Sequence, residues 1–464
     1  MPRVDPIQAA FNAGEFGAAL LARSDFDKYR HALRKAENVI ALAQGGARRR
    51  PGTRYILTVK DSSAATYPVP FQFSTTQAYI LEAGNLYFRF NRNQGQITAE
   101  NITASITNGA FPSGITSWTD RSAGTGTISH DATNLRLNLN SGGTAATNQA
   151  HAEQQVTNAS AIEHIVQFRV YGAPGDKIKL RIGTASLGTQ IVNDKVLGVG
   201  FHAIAFTATA ADFYLQFIFD PTVAKTVKID DVALLDNVAI ELVTPYTTAQ
   251  VPDLRWAQSA DVLYICHSAH PTYKLKRYGH TSWSLEEVFF QDGPYLAENT
   301  TTTTMNPGAT TGNGVALVAS STVGVNDGQG FLSTDVGRAF RYTDGTNIGY
   351  GIITSVTNTT NAVMDIKDTF PASIAITAWK LGAWSGTTGY PQVIQFHEQR
   401  LVLANTTTDP DKYWLSQTGD FENMRIDSDK TGGGIEVLDD DALDYRISSD
   451  QVNAIQWLKS GKQL

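Results

Sequence analysis

The chain has 464 residues, 42% of them hydrophobic and 17% charged, with a formal net charge of −7. That length accommodates two to four domains with several cores, and the acidic balance excludes a whole-chain DNA clamp, which would be basic. So few charges leave solubility to Ser, Thr, Asn and Gln, a composition common in extracellular and virion β-proteins.

The start, MPRVDPIQAAFNAGEF, has no basic stretch leading into an apolar core, so no secretory signal peptide is expected. No apolar run approaches bilayer-spanning length, so no membrane span is expected either. Phe26, Tyr29, Leu33, Ala36 and Ile40 recur every three or four residues and predict a helix over 24–43. Ser24 would cap it, with Asp27 three residues on, and Gly45-Gly46 would end it. Arg48, Arg49 and Arg50 then follow a helix C-terminus, where the macrodipole favours positive charge. Pro51-Gly52 reads as a turn and Tyr55–Val59 as a strand. Phe71–Ser74, Ala78–Glu82 and Leu86–Phe90 are strand-like, with a hairpin turn at Gly84-Asn85. Residues 1–97 are thus expected to form an N-terminal platform of one helix and several strands.

Residues 98–237 are richer in Thr, Ala, Ser, Asn and Gly, with alternating runs such as Leu135–Leu139, Ile165–Tyr171 and Phe213–Phe219. Regular strands without helices predict a β-sandwich. Its flanks, RFNRNQGQI and VAIELVTPYT, read as two halves of one hairpin, so the sandwich is expected to be an insertion. A second excursion, 300–388, opens with the low-complexity run NTTTTTMNPGATTGNG, a flexible linker by composition. Strands at Ala339–Tyr342 and Tyr350–Ile353 then predict a small barrel or meander.

Segments 238–299 and 389–464 carry an internal repeat. Pro252 and Pro271 are 19 residues apart, as are Pro391 and Pro410. Each first proline precedes an aromatic (Trp256, Phe396) and an apolar strand (Val262–Ile265, Leu401–Ala404). Each second proline precedes a lysine, a glycine and an aromatic: Lys274, Gly279 and Trp283, then Lys412, Gly419 and Phe421. A third start, DQVNAIQWLKSGKQL, closes the sequence. Units of roughly 40 residues with several strands predict propeller-type blades, the last expected to need further polypeptide to cover it. The expected fold class is mainly β: propeller-type blades, a platform helix, an inserted jelly-roll sandwich and a second small β-domain.

FNAGEFGAALLARSDFDKYRHALRKAENVIALAQGGARRRPGTRYI resembles the N-terminal signature of the tail nozzle proteins of short-tailed phages, the tail-tubular-protein-B type. The resemblance continues, in order, through 243–295, 390–424 and 439–464. It implies a subunit of a homo-hexameric tube seated on a tail adaptor protein, located in the virion tail, through which double-stranded DNA leaves the capsid. Within the insert, NGAFPSGITSWT and VKIDDVALLDN resemble the first and last strands of a jelly-roll carbohydrate-binding module. Such modules carry acidic calcium ligands in the opening turn, where this chain has Ala110 and Pro112. No calcium is therefore expected despite Asp230 and Asp231, and no other metal or cofactor is.

The Arg triplet reads either as a phosphate contact for exiting DNA or as a joint between subunits. A tube that must release DNA gains nothing from tight phosphate binding, so Arg48, Arg49 and Arg50 are assigned to a subunit or adaptor interface. Asp439, Asp440 and Asp441, with Asp444 nearby, are assigned to the same interface, with lumen lining and calcium binding as alternatives. Cys266, His267 and His270 offer zinc only three ligands, so an inert buried thiol is expected. No nucleophile elbow, phosphate-binding loop or HExxH motif occurs, and no catalytic residue is assigned. Trp118, Tyr171 and Tyr214 are candidates for stacking on a host surface glycan, against core packing of each ring. The expected function is a structural tail-nozzle protein. The alternatives are a glycan-binding tail adhesin acting through the jelly roll, and a tail-associated depolymerase.

Overall fold

A computed structural model gives the fold; it describes residues 7–344, 347–430, 434–448 and 453–461. Strands make up 44% of the chain and helical turns 5%, with no long helix, and the small sheets stand in a four-bladed, propeller-like arrangement. The chain divides into two compact units, 1–57 and 58–464.

The predicted helix over 24–43 is absent. Asp27–His31 is a single 3-10 turn, and Ala32–Leu33 pairs in parallel with Gly14–Glu15. Val39–Ala41 and Ala47–Arg49 then form an antiparallel ladder. Asn38, at φ 56, takes the left-handed conformation a helix interior forbids. The helical spacing misleads because a short helix persists only when its apolar face is buried. Here Phe26, Tyr29, Leu33 and Ile40 all stay at least partly exposed. Tyr55–Val59, read as a strand, joins no sheet.

In the second unit, Tyr67–Gln72, Ala78–Gly84 and Tyr87–Arg92 form a meander whose Asn85-Leu86 turn places Leu86 at φ 63. Glu241–Val243 completes this sheet against Tyr87–Arg89. Thr98 bridges Ala239, so the chain leaves and re-enters the sheet at neighbouring positions.

The segment between these points is a two-sheet sandwich. One sheet runs Val192–Gly198, Lys177–Gly183, Phe213–Phe219, Ala150–Val156, Thr119–Asp120. The other runs Thr127–Asp131, Arg136–Gly142, Ala224–Leu234, Glu163–Tyr171, Gly200–Thr207. Alternate residues such as Leu137 and Leu139, Leu215 and Phe217, and Val227 and Ile229 meet in its core. The second sheet does not stop at the sandwich. Gly200–Ala203 pairs with Trp283–Glu286, and a nine-stranded sheet runs on through the first repeat.

Gly200 permits this join. Its φ is +147, and a Cβ there would lie 2.1 Å from the Leu285 carbonyl oxygen. Gly200→Ala is expected to cost about 2–3 kcal/mol and to remove amide-exchange protection from 283–287. Unchanged protection would contradict the shared ladder.

The first repeat comprises Arg255–Ser259, Val262–His267, His270–Arg277 and Trp283–Glu287. The second comprises Val393–His397, Arg400–Ala404, Lys412–Leu415 and Leu443–Arg446. The aromatics marked by the repeat sit opposite the apolar strand in both, Trp256 across from Ile265 and Phe396 across from Leu401. One core lies between the first repeat and the meander, centred on Trp283, which stacks on Phe90 at 4.3 Å and meets Phe71 and Tyr79 edge-on. Another joins the two repeats through Tyr264, Cys266, Ile394, Leu401 and Leu403.

Residues 305–381 form a six-stranded sheet around Met305, Phe340, Tyr342, Met364 and Trp379. The low-complexity run before and into it is ordered structure, not a flexible linker. Asn299 Nδ2 donates to the carbonyls of Thr301, Thr303 and Thr377 at 3.0–3.1 Å, and Met305–Pro307 is the sheet's edge strand. Lys225 Nζ, from the sandwich, reaches Asp176 and Asp365 at 2.7 Å each and fastens the sandwich to this sheet.

Candidate functional site

The described part of the first unit has no buried apolar side chain; Gly45 is its one buried residue. It exposes Ile7 (87%), Leu20, Leu21, Phe26, Val39, Tyr55 (75%) and Ile56. The Arg triplet lies among them. Arg48 and Arg49 stand opposite Ile40 and Val39 in the short ladder, and Arg50 donates its backbone N–H to Asn38 O at 2.8 Å. All three side chains are exposed, and none has a carboxylate partner among the described residues. With no helix there, the macrodipole argument for their placement falls away. What remains is a basic edge beside uncovered apolar groups, which is the composition of an interface.

The acidic run divides. Asp439 and Asp440 are exposed, whereas Asp441 is 1% exposed. The Asp441 carboxylate accepts from Leu438 N–H at 2.8 Å and from Gln417 Nε2 at 3.0 Å. Arg400 donates to the backbone carbonyls of Asp439, Asp441 and Ser416. Asp441 is therefore an internal turn cap and unavailable to a neighbour, a correction to its interface assignment. Asp444 is also engaged, with Lys412 at 2.7 Å. Beside this turn Tyr445 (51%) on the edge strand Leu443–Arg446, Ile447 just past it and Trp457 (74%) in the irregular segment 453–461 are exposed. Ile455 and Leu458 lie against Val393, Ala404 and Tyr413, the cross-strand row that ends at Tyr445. Part of the predicted third start, 450–452 and 462–464, falls outside the described residues.

The three candidate sugar platforms separate likewise. Trp118 is a core residue, 6% exposed, set between Phe111 and Phe217, with its Nε1–H on Asn108 O at 3.1 Å. No ring face is left for a sugar. Tyr171 is covered by guanidinium groups, Arg136 at 3.4 Å and Arg169 at 4.2 Å from the ring centre. Tyr214 is partly exposed, on a sheet whose outer side is largely occupied by the chain's own loop 184–191. There Glu153 accepts from Ser186 Oγ and Leu187 N–H, both at 2.7 Å, and Gln216 Nε2 donates to Gly188 O.

Cys266 is fully buried, and burial pushes its thiol well above the ordinary range. His267 and His270 are shifted down by burial, which favours their neutral forms. Asp230 faces Arg136 at 3.6 Å. No group of three potential metal ligands converges among the described residues.

No protein-family model and no curated protein matches this chain. The functional reading therefore rests on its own residues and surfaces.

Proposed function

We propose that the chain is a structural subunit of a phage tail nozzle, a homo-hexameric tube seated on a tail adaptor, through which double-stranded DNA is ejected. The observation that carries the reading is the lack of a core among the described residues of the first unit, 7–57. A segment of about 50 residues that buries no apolar side chain cannot offset its own conformational entropy. It becomes stable when Phe26, Val39, Tyr55 and Ile56 are covered by neighbouring polypeptide, with Arg48, Arg49 and Arg50 pairing across that contact. The sheets stacked on shared cores fit the same plan, with Tyr445 on the last sheet's edge strand and Trp457 in the segment after it meeting the next copy. The sequence resemblance supplies the identity of the assembly, a tail tube; the uncovered surfaces supply the reason to assemble.

Negative-stain microscopy of the purified protein is expected to show rings with a central hole wide enough for duplex DNA. Replacing Arg48, Arg49 and Arg50 together by Ser is expected to weaken ring formation at least tenfold in concentration, because charge pairs at a desolvated contact contribute strongly. Dispersed particles at all concentrations, with and without the substitutions, would contradict the proposal.

A further inference from the structure

A cavity of about 290 Å³ lies where four parts of the second unit meet: the 172–174 turn of the sandwich, the first repeat at 271–272 and 287–290, the small sheet at 336–339, and the 382–390 segment. Its walls are aromatic, with Phe289, Phe290, Trp384 and Tyr390. Polar groups line it too: besides the Tyr390 phenol there are Thr272, Trp384 Nε1 and Glu287. Thr272 is 3% exposed and its Oγ1 has no hydrogen-bond partner within the protein. Trp384 Nε1 is buried and equally unanswered. Glu287 forms no ion pair or side-chain hydrogen bond among the described residues, although two basic residues of the same sheet, Lys274 and Lys276, are committed to Glu422 and Glu286.

Buried polar groups are normally satisfied, and each exception calls for a partner. Two such exceptions, Thr272 Oγ1 and Trp384 Nε1, lie on one cavity beside the half-buried Glu287 carboxyl, and together they describe that partner. It must accept from an indole N–H, donate to a carboxylate and meet a hydroxyl, and it must present an apolar face to aromatic rings. An anion is disfavoured by Glu287. A quaternary ammonium has no lone pair for Trp384 and no proton to donate. A sugar ring meets all of these demands, since each hydroxyl both donates and accepts and its C–H face lies on aromatic carbon. The volume suits one ring rather than a chain, being at the small end of ligand sites.

We infer that this junction cavity is a binding site for a single neutral aldohexose ring, held by Glu287, Thr272 and Trp384 Nε1. The site is separate from Trp118, Tyr171 and Tyr214 and does not depend on assembly into a tube.

The test is saturation-transfer NMR on the full chain with glucose, galactose, mannose and N-acetylglucosamine, and with tetramethylammonium as the cationic probe. At least one sugar is expected to receive saturable transfer. Thr272→Val and Glu287→Gln, both close in shape to the native residue, are each expected to weaken it about tenfold, the effect of one hydrogen bond, while melting temperature is retained or raised. A merely structural role for either residue would leave transfer unchanged. Absence of transfer from every sugar, transfer unaffected by both variants, or preference for tetramethylammonium would each overturn the inference.

Discussion

Arg338→Met is expected to destabilise the protein by about 3–5 kcal/mol, the effect of removing one partner from a buried ion pair. Arg338 and Asp335 are both completely buried, with Nη1 2.9 Å from the carboxylate. Arg338 also donates to Gly382 O and Asn326 Oδ1 at 2.7 Å. Asp335 accepts from Leu332 N–H, Asn326 Nδ2 and Thr387 Oγ1. This one pair thus ties the 326–338 turns to the 382–388 segment that leads into the second repeat. Methionine would fill the space but leave a carboxylate buried without its cation. Pairing Arg338→Met with Asp335→Asn removes that charge, so the double variant is expected to lose less than the single one. Denaturant melts of the three proteins check this; a cost below about 1 kcal/mol for Arg338→Met would show that the pair does not hold the segments together.

Glu287→Gln is expected to act in the opposite direction, as a stabilisation that grows with pH. Burial pushes the Glu287 carboxyl from 4.5 up to about 7. The folded chain therefore binds this proton when the unfolded chain has already released it. The wild-type contribution falls as pH rises from about 4.5 through about 7, and the full penalty stands above that. The shift corresponds to an effect on the order of 3 kcal/mol. The titratable groups that feel the Glu287 charge are the phenols of Tyr273 and Tyr390, pushed up first by burial and then by that charge. Neither titrates below pH 8, so the difference between variant and wild type reports Glu287. Without sugar, the variant should match the wild type near pH 4 and exceed it near pH 8. A difference that does not change with pH would mean the carboxyl is solvated.

Much of this architecture is legible in the sequence where burial and period agree. Leu137 and Leu139, or Phe213, Leu215 and Phe217, alternate because one face of each strand enters the sandwich core. The proline-spaced repeat is legible because each unit opens with a hairpin whose first strand carries an aromatic facing an apolar second strand, although Trp256 and Phe396 stand at different rungs of their ladders. The helix over 24–43 fails for the complementary reason: its periodicity has nothing to pack against. Run 299–314 looks like a linker because threonine-rich composition does not reveal that the Asn299 amide gathers three carbonyls. The ladder between Gly200–Ala203 and Trp283–Glu286 joins residues some eighty positions apart, which no local pattern encodes. Site assignments suffered most. Exposure decides whether Trp118 is a platform or a core ring, and whether Asp441 faces a neighbour or caps a turn, and exposure is a property of the fold. Glu287 gave no clear local signal, since it follows a second acidic residue, Glu286, at the start of Val288-Phe289-Phe290, and its unpaired state needed three-dimensional neighbours to be seen.

In the proposed assembly, residues 7–57 gain their stability from neighbouring polypeptide. Hydrogen exchange on the assembled protein and on protein dispersed by dilution tests it most directly. Amides of the Val39–Ala41 and Ala47–Arg49 ladder are expected to be protected in the assembly and to exchange at nearly unstructured rates in the dispersed chain. Equal and strong protection in an isolated monomer would contradict it.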